Sequence, residues 1–174
     1  IPKETVGVLG ELREKAWQAI FSVKKEIKDF DIKTAKVSDL EKYLNYVPDE
    51  LKNYFSAAIL NHEITQKAVI EFRKSSPNLV VIGTLMSAHH KVLKDLLKIT
   101  VPKIDDMIEV ALKAGALGAK IVGSGGGGSI VALAPKGKEQ YIIDQMKAIG
   151  AKDAYQVAVD PGARVTNTFK KEIV

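Results

Sequence analysis

Five of the seven residues from Gly123 to Ser129 are glycine, in the order Gly123-Ser124-Gly125-Gly126-Gly127-Gly128-Ser129. The run stands between Ala119-Lys120-Ile121-Val122 and Ile130-Val131-Ala132-Leu133, segments rich in the β-branched residues that fill buried strands. Glycine there brings no side chain to pack, so its value lies in the backbone: positive φ, or close approach to another group. Successive unshielded N–H groups in such a turn make a concave site for anions. The loop therefore reads as phosphate-facing, against the plainer reading of a flexible hairpin connection. Its flank favours the first, because the segment Ala111 to Lys120 ends a helix on Gly115 and enters a strand within a few residues, which fixes the geometry where the loop begins.

The 174 residues are enough for one well-cored domain, and 46% hydrophobic with 27% charged residues is ordinary globular composition. There is no cysteine, so disulfides, thiolate metal sites and a cysteine nucleophile are excluded. No apolar run approaches the ~20 residues of a membrane-spanning helix and no signal peptide opens the chain, so a cytoplasmic location is the expectation. The net charge of +5 is spread as isolated lysines along helices, the pattern of a solvated surface. A nucleic-acid binder would cluster its basic residues and show aromatics on a sheet face, and only Tyr155 among the expected strand residues is aromatic.

Leu9, Leu12, Ala16, Ile20, Val23 and Ile27 step by three or four, which predicts an amphipathic helix with Trp17 beside its apolar stripe. Ser38 with Glu41 reads as a capping box opening a short helix to about Tyr46. Pro48 starts a long helix to about Arg73, with Leu51, Phe55, Ala58, His62, Thr65, Val69 and Phe72 on one face. Ile59 and Ile70 widen its apolar surface. Ser75-Ser76-Pro77-Asn78 breaks it, and the next helix carries Leu79, Ile82, Met86, His89, Leu93 and Leu96. His62 has no second titratable partner placed by the spacing, and adjacent His89 and His90 diverge on a helix, so all three are expected to be structural. Val101-Pro102 reopens helix to Gly115; strands follow at Ala119 to Val122 and Ile130 to Ala134, then a helix from Lys138 to Ile149. Tyr155 to Val159 and Ala163 to Thr166 read as further strands around the Asp160-Pro161-Gly162 turn. The fold class is α+β: a helical N-terminal half, then an antiparallel sheet with two helices on one face.

Ala114 to Leu133, taken as twenty consecutive positions, resembles the third, C-terminal motif of the galactokinase, homoserine kinase, mevalonate kinase and phosphomevalonate kinase (GHMP) superfamily. Ile82-Gly83-Thr84-Leu85-Met86-Ser87-Ala88-His89 and Ile99-Thr100-Val101-Pro102-Lys103-Ile104-Asp105 are similar to the segments that precede this motif in galactokinases. Asp160-Pro161-Gly162-Ala163-Arg164-Val165 looks like the galactokinase and heptose-phosphate kinase terminus. Galactokinases usually place a large residue, commonly Phe, within the loop, so Gly126-Gly127 stands closer to mevalonate kinase and the heptose-phosphate kinases. The resemblance runs from about Tyr54 to Val165, and the first fifty residues share only helical character.

The resemblance implies that residues 1–174 form one ferredoxin-like domain, the C-terminal half of a two-domain kinase that moves the γ-phosphoryl of MgATP to a small molecule. The acceptor would be galactose, another sugar, a sugar phosphate or a mevalonate-like alcohol. The family's N-terminal half supplies a Pro-x-x-x-Gly-Leu-Gly-Ser-Ser-Ala phosphate loop and an acidic residue near the acceptor, and neither occurs in this chain. No catalytic or metal-ligating residue is therefore assigned, and the chain alone is expected to be inactive. Gly123, Ser124, Gly125, Gly126, Gly127, Gly128 and Ser129 are the residues expected to meet ATP, by backbone with a hydroxyl from Ser124 or Ser129. The expected partners are the N-terminal kinase domain and the small-molecule substrate, with neither nucleic acid nor membrane. An apolar patch near the loop and on the first helix around Leu9, Leu12 and Trp17 is expected where that domain would sit, covered in isolation by self-association or by folding back of the first segment. The rival from another class is a stand-alone α+β metabolite-binding module.

Overall fold

The computed structural model of the chain describes residues 8–160 and Gly162. Helix α1 (Val8–Glu26) is the amphipathic helix its spacing predicts. Ala19, Ile20 and Val23 are buried, whereas Leu9, Trp17 and Phe21 are 51%, 53% and 60% exposed, so one flank of α1 enters a core and another is left apolar and open. A 3-10 turn at Val37–Asp39 leads into the short α2 (Leu40–Leu44). The capping box expected of Ser38 and Glu41 does not form: the turn runs straight into α2, and the Leu40 N–H bonds back to the Val37 carbonyl, which serves in place of a side-chain acceptor. Pro48 likewise stands before a 3-10 turn (Asp49–Leu51), from which α3 (Lys52–Phe72) continues. Ala19, Ile20, Val23, Phe30, Val47, Phe55 and Ile59 make a first core between α1, α3 and the loops that join them. Its centre is an aromatic trio, with ring centroids 4.9 Å apart for Phe30–Tyr43, 5.9 Å for Phe30–Phe55 and 6.2 Å for Tyr43–Phe55.

The turn out of α3 is closed by Glu71, buried although charged. Its carboxylate accepts from Lys74 Nζ (2.6 Å) and from the Asn78 N–H (2.7 Å), and Asn78 Oδ1 in turn accepts from the Val80 and Val81 N–H groups at the start of α4 (Leu79–Asp95). Lys74 first, and then the Asn78 N–H, hold the Glu71 carboxyl below its ordinary pKa.

Pro102 opens α5 (Pro102–Lys113), where its missing N–H costs no helical bond. Strands β1 (Gly118–Val122) and β2 (Ser129–Leu133) pair antiparallel, with Ala119 opposite Ala132 and Ile121 opposite Ile130. Those two cross-strand pairs face a second core, made with Ile104, Ile108 and Ala111 of α5, Ile142 and Met146 of α6 (Glu139–Ala148), and Leu93 at the end of α4. Two helices thus cover one side of the sheet, as the order of elements predicts. The free edge of β1 is taken by α4, whose Ser87 Oγ accepts from the Ala119 N–H (3.3 Å). Gly118 and Lys120, which alternate with Ala119 and Ile121, turn to the other side of β1.

The expected strand Tyr155 to Val159 does not form: that segment has no ladder partner among the described residues, and Tyr155, Val157 and Val159 are 72%, 69% and 100% exposed. A strand without a neighbour leaves its N–H and C=O groups to water and has no face to bury. Its expected companion, Ala163 to Thr166, lies outside the described residues. The described sheet therefore has two strands.

Candidate functional site

The glycine loop is held from below by the end of α4. Lys98, the non-glycine at positive φ among the described residues (51°), turns the chain so that the Ile99 N–H bonds back to the Leu93 carbonyl (3.1 Å). The Ile99 carbonyl is thereby presented to the loop, where it accepts from the Gly126 N–H at 2.7 Å. Gly125 lies so close that a Cβ on it would fall 2.3 Å from the same carbonyl oxygen. Gly123, Gly125, Gly126, Gly127 and Gly128 all have positive φ, from 67° to 129°, so the run is glycine because its backbone path excludes side chains.

All seven predicted residues are therefore brought together by one fixed loop, with unequal access. Gly125 and Gly127 are buried, Ser124 and Gly126 half-buried, and Gly123, Gly128 and Ser129 exposed. One of the N–H groups that could meet an anion is already engaged, that of Gly126. The surface the loop offers is formed by its two ends.

The segment carrying Ile99 is fixed by a second cluster. Asp105 of α5 takes the Thr100 hydroxyl (3.3 Å) and Lys94 Nζ (3.1 Å) on Oδ2, with His90 Nε2 3.4 Å from its Oδ1. His90 is buried, and burial depresses its pKa against the opposing pull of Asp105. His89 points elsewhere, as the divergence of adjacent helical residues predicts, and lines two cavities together with Lys120. Burial first, then the neighbouring charges of Lys120 and His90, lower its pKa. His62, half-buried on α3, lines neither.

The larger cavity, about 330 Å³, opens in the seam between the two cores and reaches Gly123 at the mouth of the loop. Leu9, Leu12 and Ala16 of α1 form one of its walls, so the apolar flank expected near the loop is there, with Trp17 and Phe21 continuing it outward. Lys120 at its floor donates to the Ile121 carbonyl (2.8 Å), and burial lowers its pKa. Sequence reasoning passed over Lys120; the available signal was a charged residue inside a strand whose neighbours Ala119 and Ile121 are wholly buried. Among the described residues no group of three histidine or acidic side chains gathers as a cation site, so Mg²⁺ is assigned no ligand here.

The glycine loop, both strands, α4 and α5 lie inside a stretch, residues 68–152, that matches the family model of the GHMP kinases C terminal. The chain is 42% identical over 69 residues to a mevalonate kinase of Thermococcus sibiricus, covering 40% of this chain and 20% of that protein. It is 30% identical over 97 residues to a galactokinase of Mycobacterium tuberculosis, covering 54% of this chain and 27% of that one. The chain thus spans about a fifth to a quarter of the relatives it matches. Among solved structures, Lactococcus lactis galactokinase complexed with galactose superposes with a TM-score of 0.77 at 23% identity, over 86% of this chain and 38% of that one. That likeness is one of fold, and it takes in much of the helical half that lies outside the GHMP match.

Proposed function

We propose that this GHMP domain is the cleft-forming C-terminal half of an ATP-dependent small-molecule kinase of the galactokinase or mevalonate kinase kind. The single observation that carries this reading is the glycine loop, clamped to Ile99 within the stretch that matches the GHMP C-terminal model and most exposed at its two ends. A rigid backbone turn with no side chains suits close approach to phosphate oxygens, which MgATP supplies when bound. Gly123, Gly128 and Ser129 would meet it, with Ser124 as a further hydroxyl.

Phosphoryl transfer works mainly by positioning and by cationic and amide stabilisation of developing charge. This loop offers one side of such a site. The phosphate loop and the acidic residue near the acceptor do not occur in the 174 residues and would come from an N-terminal domain closing over the exposed flank of α1 and the loop. The acceptor would be a hydroxyl of a sugar or of a mevalonate-like alcohol.

The test is a phosphoryl-transfer assay with galactose and with mevalonate, on this chain alone and joined to the N-terminal half of a GHMP kinase. Activity only in the joined protein is the expected result, and the preferred acceptor then fixes the substrate. Turnover by this chain alone, well above a no-enzyme control, would overturn the reading of it as half of a site.

A further inference from the structure

The cavity in the seam between the cores has a composition that the glycine loop does not account for. Its walls are the apolar sides of α1, α3 and the end of α4, and its polar groups are Arg13, Tyr54, Asn61, His89 and Lys120. Among the described residues no acidic side chain lines it, and among the described ion pairs no carboxylate meets Lys120 or Arg13. Lys120 is half-buried, and its one hydrogen bond among the described residues, to the Ile121 carbonyl, leaves two ammonium N–H groups for another acceptor. A half-enclosed cation without a counter-charge favours an anion beside it. Asn61 Oδ1, on α3 in the same lining, is buried and has no donor among the described residues. A buried acceptor in that state is served by a hydroxyl. The volume of about 330 Å³ falls at the small end of pockets that hold metabolites, and the mixture of apolar walls with a few convergent polar groups is what such pockets share.

We infer that this cavity binds a small organic anion with a short apolar body and a hydroxyl, its carboxylate or phosphate head on Lys120 and its hydroxyl on Asn61. Arg13, at the rim on α1, adds a second positive charge at the entrance. His89 is kept neutral by burial and by Lys120, so it serves as one more hydrogen-bonding group, not as a second cation. The inference stands on side chains of α1, α3, α4 and β1, and holds whether or not the glycine loop faces phosphate.

The test is calorimetric and NMR titration of the 174-residue chain with 3-hydroxybutyrate, butyrate, butyl phosphate and uncharged 1,3-butanediol. Saturable one-to-one binding of the anions and none of the diol is expected, with 3-hydroxybutyrate tighter than butyrate. The stronger of butyrate and butyl phosphate identifies the head group. Lys120→Met, which keeps the apolar stem, should weaken every anion at least tenfold, and Lys120→Arg should retain much of the affinity. Asn61→Leu should erase the advantage of 3-hydroxybutyrate over butyrate and leave butyrate unchanged. Should Lys120→Met fail to fold, Arg13→Glu at the exposed rim gives the same reading by repelling the head group. Absence of saturable binding by the folded wild-type chain at millimolar concentration, or equal affinity in the wild type and Lys120→Met, overturns the proposal.

Discussion

Gly83 on α4 and Gly118 on β1 meet backbone to backbone: a methyl on Gly118 would lie 1.9 Å from the Gly83 carbonyl oxygen, and one on Gly83 would lie 2.2 Å from that of Leu117. This contact lets a helix lie along the edge of the sheet at a distance where Ser87, one turn further on, reaches the Ala119 N–H. One edge N–H of β1 is thereby satisfied without a third strand.

Gly83→Ala and Gly118→Ala should each destabilise the chain by at least ~2 kcal/mol, because the obstacle is backbone that cannot rotate away. Gly10→Ala is the control, since nothing lies within 4 Å of a Cβ there and the site is exposed on α1. It should be neutral or stabilising by up to ~1 kcal/mol. Urea unfolding of the three variants decides the matter, and equal midpoints for all of them would refute the contact.

Anchoring of the loop predicts a graded series. Gly125→Ala, at φ 83° and pressed on Ile99, should cost at least ~2 kcal/mol of stability, whereas Gly137→Ala, at φ 85° in open space, carries only the backbone strain of ~1 kcal/mol. In a full-length kinase carrying this domain, Gly126→Val should lower turnover by at least ~10-fold, the equivalent of 1.4 kcal/mol of lost transition-state stabilisation. Near-normal turnover in that variant would place the loop away from the reacting phosphate.

Lys98 holds a left-handed conformation that favours glycine, at φ 51°. Lys98→Gly should leave stability unchanged or raise it by up to ~1 kcal/mol, and Lys98→Val should lower it by ~1–2 kcal/mol. Thermal melts of the two variants with opposite signs are the expected outcome. A stabilising valine would mean that this residue does not set the turn that presents Ile99.

The two histidines at the end of α4 predict a loss of stability in acid. His89 and His90 both have pKa values lowered from 6.5 in the folded chain, chiefly by burial, so the unfolded chain binds more protons and stability rises with pH. Their contribution is complete above 6.5 and is lost as pH falls below it through the lowered folded values. The groups facing them are Asp105, Lys94 and Lys120. Melting temperatures measured from about pH 7.5 to about pH 5.5 should fall, and the double variant His89→Gln, His90→Gln should flatten that slope. An unchanged slope in the variant would assign the acid sensitivity elsewhere.

Local signals determined much of this protein. The three-and-four spacing from Leu9 to Ile27 fixed α1, Pro102 and Gly115 bracketed α5, and β-branched runs on either side of five glycines set the hairpin and its loop. These are statements about neighbours in the chain, where periodicity and turn chemistry act directly. The capping box at Ser38 and the strand at Tyr155 to Val159 were misread because a cap depends on how the preceding turn enters the helix, and a strand on whether another lies beside it. Neither is written in the segment itself. The tertiary structure alone decided that Gly83 meets Gly118, that Ile99 clamps Gly125 and Gly126, and that Lys120 and Asn61 line one cavity in the seam between two cores. Those pairs are from 26 to 59 residues apart, and what joins them is the packing of helices on a sheet edge, a condition that no local pattern of residues encodes.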